Sequence, residues 1–592
     1  MKFAICLVST LLIAGGCASS VPAPVRAPSA PNRTGALAAP VLMRSAAIDE
    51  QIRAAWQEKN VEPSAKVDDA GFFRRVHLDL TGRVPSAAAV EAFLADSSPD
   101  KRAKIIDTLL EGPGYADHFT NYWDRVLLGR DVRHNVDRTE FRRWLRERLD
   151  KNVAYDVWVR DLVSATGLNT PPRLADGSPV PADKTERPVN GATNWYLRYM
   201  DSPPDLAGTA SRLFLGVQIQ CAQCHDHKTE KWKTSDFQGF TASFMQTRGQ
   251  LFYPEDKDKK GPRPFDVEDL DKPRRAAKQM DIAEYKTAIP RALDGTDLSK
   301  GGKPRAALAT WITAKDNPWF ARAIVNRMWG NMLGRGFSEP IDDVRESNPP
   351  VMPDLLAKLA GDFVASGYDL RHLLRLIANT EAYQLAPRPK AQRPTWGAAV
   401  DKGKSKRAEE KPDSSKAEPP HHDDDVLWGY FHMDRLGPDE LLDSLAQATG
   451  FDRVFEKGPR AGRGDPAADQ GNVEQIRAGL RKQFAFLFDV DEEADHHDEF
   501  DGTIAQALWM INGNVLNRSV QSAPGNAVGE VMAMPGKDDK KIRALYMRTL
   551  SRPPTGEESA HWMKFVSAHP MRQAYEDLLW ALLNSSEFLF NH

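Results

Sequence analysis

Apolar residues recur three and four positions apart along most of the chain, the spacing that gathers them on one face of an α-helix. RAKIIDTLLE (102–111), TEFRRWLRERLD (139–150), ARAIVNRMWGNML (321–333), PDLLAKLAGDFVASG (353–367) and LRHLLRLIANTEAYQL (370–385) all carry it. Period-two alternation, the mark of a half-buried strand, is scarce. The pattern predicts a mainly α fold of many helices in two packed regions, with loops such as Thr170 to Val189 between them.

The same layout recurs along the chain. RRVHLDLTGRVPSAAAVEAFLAD (74–96), which leads into IIDTLLEGPGYADHF, is matched by IRALYMRTLSRPPTGEESAHWMKFV (542–566), which leads into LLWALLNSSEFLF. In each a helix stops at a Gly or Ser turn with Pro, a Ser or Thr starts the next helix, and a Leu-rich helix ends before an aromatic pair. IANTEAYQL (377–385) repeats the last part. Thr555 and Glu558 have the spacing of a capping box, in which hydroxyl and carboxylate satisfy orphaned helix donors. Reuse of a helical hairpin and ordinary helix-capping grammar both account for the echo.

Two stretches break the helical spacing and predict flexible connections. Lys257 to Lys278 is a charged insertion. Lys390 to Asp425, with KGKSKRAEEKPDSSKAEPPHHDDD, has too little apolar surface to offset the entropy of ordering it. The expected organisation is a helical region at 46–250, a charged insertion at 251–300, and a second helical region in two parts, 301–389 and 426–592. A disordered linker at 390–425 separates those parts. The linker's His421, His422 and Asp423 to Asp425, and the run Asp495, His496, His497 and Asp498, are solvated charge runs that can hold a divalent metal loosely.

The first residues change the picture of where the protein works. Lys2, the apolar run Phe3 to Ala14, and the small residues Ala14, Gly15 and Gly16 before Cys17 resemble a bacterial lipobox. Residues 1–16 are then a lipoprotein signal peptide and Cys17 the lipidated first residue, with Ala18 fitting outer-membrane sorting. Ala14 stands where lipoboxes usually have Leu, which leaves an ordinary cleaved signal as the alternative. The run falls short of the roughly 20 apolar residues that a bilayer span needs. Residues 17–45, rich in Pro, Ala and Ser, form an extended tether. The expected location is lipid-anchored at the outer membrane, facing the periplasm. Lys and Arg number 79 against 82 Asp and Glu, so there is no positive excess to attract nucleic acid.

Four cysteines are present, and only Cys221 and Cys224 lie in the expected folded body. With His225 they complete Cys221-Ala222-Gln223-Cys224-His225, the C-x-x-C-H pattern of c-type haem attachment. Two thiols one turn apart can add to the vinyl groups along one edge of a porphyrin, and the adjacent imidazole can take the iron as proximal ligand. Leu213, Phe214, Leu215, Val217, Ile219, Trp232, Phe237, Phe240 and Phe244 either wall an apolar pocket or are plain helix core. A disulfide, or a zinc site that recruits His227, competes with haem for the same residues. Met245, Met200, Met280, His77, His118 and His227 are the candidates for a sixth ligand, none of them preferred.

FLGVQIQCAQCHDH, with RRVHLDLTGRVPSAAAVEAFLAD upstream and NPWFARAIVNRMWGNMLGRGFSEPIDDVRESNPP downstream, resembles a planctomycete-type cytochrome-like family of exported proteins. That family pairs two domains of unknown function, fifteen-forty-nine and fifteen-fifty-three. The resemblance runs from about residue 47 to the C-terminus and includes DLRHLLRLIANTEAYQL and LLNSSEFLF. It implies a mainly helical, exported protein carrying covalent haem c on Cys221, Cys224 and His225, with no reaction or substrate attached. Family members commonly continue CHDHPF, whereas Lys228 and Thr229 follow here. The expected function is a membrane-tethered redox or electron-transfer protein with an unknown redox partner protein. The alternative is a haem-free helical binding or scaffold lipoprotein whose cysteines form a disulfide or metal site. No nucleophile elbow, phosphate-binding loop or zinc-protease motif appears, and no catalytic residue is assigned.

Overall fold

Burial decides which helix the fold is built around. In a computed structural model of the protein, described for residues 42–129, 134–172, 187–252, 264–272, 287–300, 302–388, 423–451, 479–488 and 504–592, the helix Asp69–Thr81 is buried at every position from Phe72 to Thr81. A helix buried all round has no solvent face on which to place its polar residues. This one nevertheless carries Arg74, Arg75, His77 and Asp79.

The chain is mainly α-helical, as the spacing predicts. The five periodic stretches fold as Lys101–Glu111, Arg138–Asp150, Phe320–Leu333, Pro353–Ala365 and Leu370–Ala378, the last followed by a 3-10 turn, Ala382–Gln384. Helix Asp69–Thr81 packs on Pro113–Leu128, which packs in turn on Arg138–Asp150. A large apolar core draws on residues from Ile48 to Phe431, so the segments on both sides of the charged insertion share it. A second core is built from Leu436 to Phe588 and takes Leu78 and Val84 from the first part of the chain. Among the described residues, no helix is long and apolar enough to cross a membrane. The signal, Cys17 and most of the tether lie outside the described residues.

The charged insertion departs from expectation. Phe265–Asp269 is the central strand of a three-stranded antiparallel sheet, between Gly167–Leu168 and Thr247–Leu251, with Gly167 opposite Val267 and Leu251 opposite Phe265. Phe265 and Val267 supply the apolar side. The carboxylates do not force this strand into solvent, because each has its own arginine: Asp266 takes Arg187, Glu268 takes Arg248 and Asp269 takes Arg305. In the expected linker, Asp423–Val426 is helical, and Asp424 and Asp425 pair with Arg388 and Arg335. His421, His422 and the run Asp495 to Asp498 lie outside the described residues, as does the rest of that linker from residue 390.

The echo is geometric as well as verbal. Gly82 ends helix Asp69–Thr81 at φ 66°, and Ser551 takes φ 60° at the matching place after Asp538–Thr549. Ser86 and Thr555 then cap the following helices, and Thr555 with Glu558 forms the expected capping box. At the third site, the Asn379 and Asn584 amides both donate four residues back, to the Arg375 and Trp580 carbonyls. The Thr380 and Ser585 hydroxyls both accept from the amide three residues on, that of Tyr383 or Phe588.

The two arginines of the buried helix close on these repeated ends. Arg74 donates to the Thr549, Glu587 and Phe588 carbonyls at 2.8, 3.1 and 2.9 Å. Arg75 donates to the Tyr383, Leu385 and His592 carbonyls and lies over the Phe431 ring. Burial lowers the pKa of both to about 10, which still leaves them cationic at neutral pH. One turn on, Asp79 accepts from the Tyr383 hydroxyl and the Asn591 amide.

Arg74→Ala strands three carbonyls. With each buried unsatisfied group costing about 1–3 kcal/mol, the expected loss of stability is about 3 kcal/mol or more. Arg74→Lys is expected to recover only part of it, because an ammonium lacks the guanidinium fork. Urea unfolding midpoints measure both, and a shift for the alanine variant within about 0.5 kcal/mol, the range of an ordinary surface change, contradicts the clamp.

Burial pushes the Asp79 carboxyl up to about 7, against the opposing donors Tyr383, Arg75 and Asn591. Between the ordinary carboxylate range and pH 7 the folded state holds a proton that the unfolded chain has lost, so this group costs stability progressively as pH rises through that window. Asp79→Asn removes the cost. The stability of the variant relative to wild type is expected to rise from pH 4 to 7 and then level off; a flat difference contradicts this assignment.

Candidate functional site

The C-x-x-C-H motif is held at the end of a well-anchored helix. Pro203–Leu215 starts with proline at its first turn and ends at Gly216, φ 65°, whose carbonyl accepts from Val344. Val217 and Ile219 are buried beyond it, and the chain tightens into a 3-10 turn, Gln220–Gln223. Gln220 lies so close to the preceding helix that a Cβ on Gly208 would sit 2.8 Å from its Oε1. The buried Ala222 fixes the inner side of the turn. Side chains three apart eclipse in such a turn, and Cys221 and Cys224 are both exposed, free thiols.

His225 is exposed, and its Nδ1 lies 2.9 Å from the carbonyl oxygen of Asp226. A carbonyl only accepts, so Nδ1 carries the proton, and the lone pair of the neutral ring is on Nε2. That is the tautomer of a metal-ligating histidine, and a carbonyl on Nδ1–H is the contact that orients such a ring. His227 is set the opposite way: its Nδ1 lies 3.3 and 3.1 Å from the Thr229 and Glu230 amides, which only donate. Its neutral ring therefore bears the proton on Nε2 and offers no lone pair to a metal.

The donor set of Cys221, Cys224 and His225 fits covalent haem: two accessible thiols and an imidazole with a free Nε2. It fits zinc less well. Among the described residues no group of three or more His, Cys, Asp or Glu side chains is arranged to hold a metal ion, and His227 is committed to backbone. Of the two readings of the flanking apolar residues, the structure realises core: Leu213, Phe214, Leu215, Val217, Ile219, Trp232, Phe237, Phe240 and Phe244 are all buried in the larger cluster.

Three of the candidate sixth ligands make their contacts elsewhere. His77 donates to the Phe73 carbonyl at 2.8 Å and packs against its ring at a 56° tilt, with burial lowering its pKa to about 4. His118 lies 3.7 Å from Glu440. Met200 sulfur accepts from Asn135, Met245 is buried in the core, and Met280 lies outside the described residues.

Two family models match the chain. One, PSCyt2, described as a protein of unknown function (DUF1549), covers residues 47–249; the other, PSD1, described as a protein of unknown function (DUF1553), covers residues 304–566. The chain belongs to the family that pairs these two domains. Cys221, Cys224 and His225 fall inside the PSCyt2 match, and the Asp538–Thr549 helix clamped by Arg74 falls inside the PSD1 match. Comparison with curated proteins and with solved structures found no match.

Sequence reasoning named the motif but passed over what holds it. Within the PSCyt2 match, Asp226 Oδ1 accepts the Thr234 amide at 2.8 Å and the His227 amide donates to the Trp232 carbonyl at 2.8 Å, and Ser347, from the PSD1 match, donates to Glu230 at 2.5 Å. The Thr234 contact also holds the Asp226 carboxyl below its ordinary pKa. An acid a few residues before a helix start was the available signal.

In haem-free protein under native conditions, iodoacetamide is expected to modify both Cys221 and Cys224 as fast as an unfolded control peptide, read by mass spectrometry after digestion. Protection of either thiol contradicts its exposed placement.

Proposed function

We propose that this chain is an exported, lipid-anchored c-type haem protein with a redox or electron-transfer role. The observation that carries the reading is the contrast between the two histidines: His225 leaves Nε2 free beside two accessible thiols, while His227 does not. The family name PSCyt2 agrees with a cytochrome-like assignment. Haem c, when bound, supplies a one-electron iron couple.

The chain's own residues supply attachment and orientation. Cys221 and Cys224 would form the two thioethers, and His225 would ligate the iron through Nε2 while Nδ1 stays on the Asp226 carbonyl. Cys17 would tie the protein to the membrane, and the partner of the haem would be a redox protein of unknown identity rather than nucleic acid. The closed apolar core beneath the motif favours a second reading, a haem-free helical scaffold in which Cys221 and Cys224 close as a disulfide.

Reduced protein made with a haem-attachment system is expected to keep a c-type absorption spectrum after denaturation, and Cys221→Ala/Cys224→Ala to lose it. A colourless wild type under full haem supply overturns the proposal, and a mass two hydrogens below that of the reduced protein then identifies the disulfide.

A further inference from the structure

The residues after the haem pattern, Asp226 to Thr234, form a loop closed on itself. Asp226 Oδ1 holds the Thr234 amide at the first turn of helix Thr234–Ala242, the His227 amide holds the Trp232 carbonyl, and the His227 ring accepts from the Thr229 and Glu230 amides. Trp232 is buried beneath the loop, and Glu230 ties it to Ser347 on a distant segment. The Asp226 and His227 contacts all bear on the position of one peptide group, that between the two residues, because its carbonyl belongs to Asp226 and its amide to His227. The same carbonyl receives His225 Nδ1.

We infer that Asp226 and His227 are positioning residues: together they staple the Asp226–His227 peptide so that its carbonyl fixes the tautomer and ring orientation of His225. Neither is a ligand. An exposed histidine without such a partner is free to rotate and to exchange its proton between the two nitrogens, and protonation of Nε2 removes the lone pair that a metal needs. The staple prevents this before any group is bound. The consequence at iron rests on the haem reading of the preceding section; the tautomer itself does not. With haem bound, a carbonyl on Nδ1–H makes the imidazole a stronger donor, which favours ferric iron and lowers the potential.

The tautomer is read directly by nitrogen–proton correlation NMR on deuterated full-length protein with labelled histidine, the His225 signals being assigned from their loss in His225→Gln. In haem-free wild type, Nδ1 of His225 is expected to be protonated and Nε2 bare. Asp226→Ala and His227→Ala are expected to move the ring toward the Nε2-protonated form, whereas Asp226→Asn and His227→Asn, which keep an acceptor oxygen near the lost atom, are expected to retain most of the wild-type state. Far-UV circular dichroism checks that the fold is kept. An Nε2-protonated His225 in wild type, or alanine variants whose tautomer matches wild type, overturns the inference. In haem-loaded protein the alanine variants are expected to have a higher midpoint potential than wild type at equal haem content, and an equal potential counts against the inference. If wild type takes up no haem, the haem proposal falls, and the NMR result still decides this one.

Discussion

Two adjacent guanidinium groups on a helix buried from Phe72 to Thr81 set the terms for the rest of the structure. Arg74 and Arg75 cannot be solvated where they are, and a cation taken out of water has to be met by oriented acceptors. The fold meets them with main-chain carbonyls from three places far apart in sequence, around residues 383–385, 549 and 587–592. Main-chain carbonyls are available at helix ends, where the last turn leaves them without intrahelical partners. This gives the repeated Asn-Ser/Thr endings a purpose: they finish helices in a way that turns those carbonyls toward the arginines. It also explains why the larger core runs through both matched domains. A helix that must be covered on every side recruits its cover from wherever the chain can supply it.

The helices were legible because their apolar spacing is a local property that survives folding unchanged. Arg138–Asp150 and Phe320–Leu333 lie within a residue of the stretches that predict them. The Phe265–Asp269 strand was not legible, because Phe-Asp-Val-Glu-Asp looks like a solvated acidic run until Arg187, Arg248 and Arg305 are brought to it from elsewhere. Nor was the burial of Arg74 and Arg75, for the same reason: a charge shows its type in sequence and its partner only in space.

At the candidate site the division falls in the same place. Cys221, Cys224 and His225 are contiguous, and their chemistry can be read from spacing alone. What separates His225 from His227 is which backbone group each ring nitrogen meets, a matter of a peptide's orientation that two histidines two residues apart do not announce. The apolar residues around the motif illustrate the limit from the other side. Their type fits a pocket wall and a packed core equally, and only their burial chooses.

The arginine clamp also has a consequence in time. A chain is made from its N-terminus, and the buried helix at residues 69–81 emerges long before residues 549 to 588 exist to receive the charge of Arg74. Contacts of such sequence separation form late and slow the search for the native state. Until residues 549 to 588 are made, Arg74 is a cation with none of its carbonyl partners, so the helix has to stay open to water and the core around it incomplete. Arrival of residues 549 to 588 then acts as a checkpoint: a chain cut short before them would keep a loosened centre and the aggregation-prone apolar surface of Phe72, Phe73 and Val76, which marks it for proteolysis.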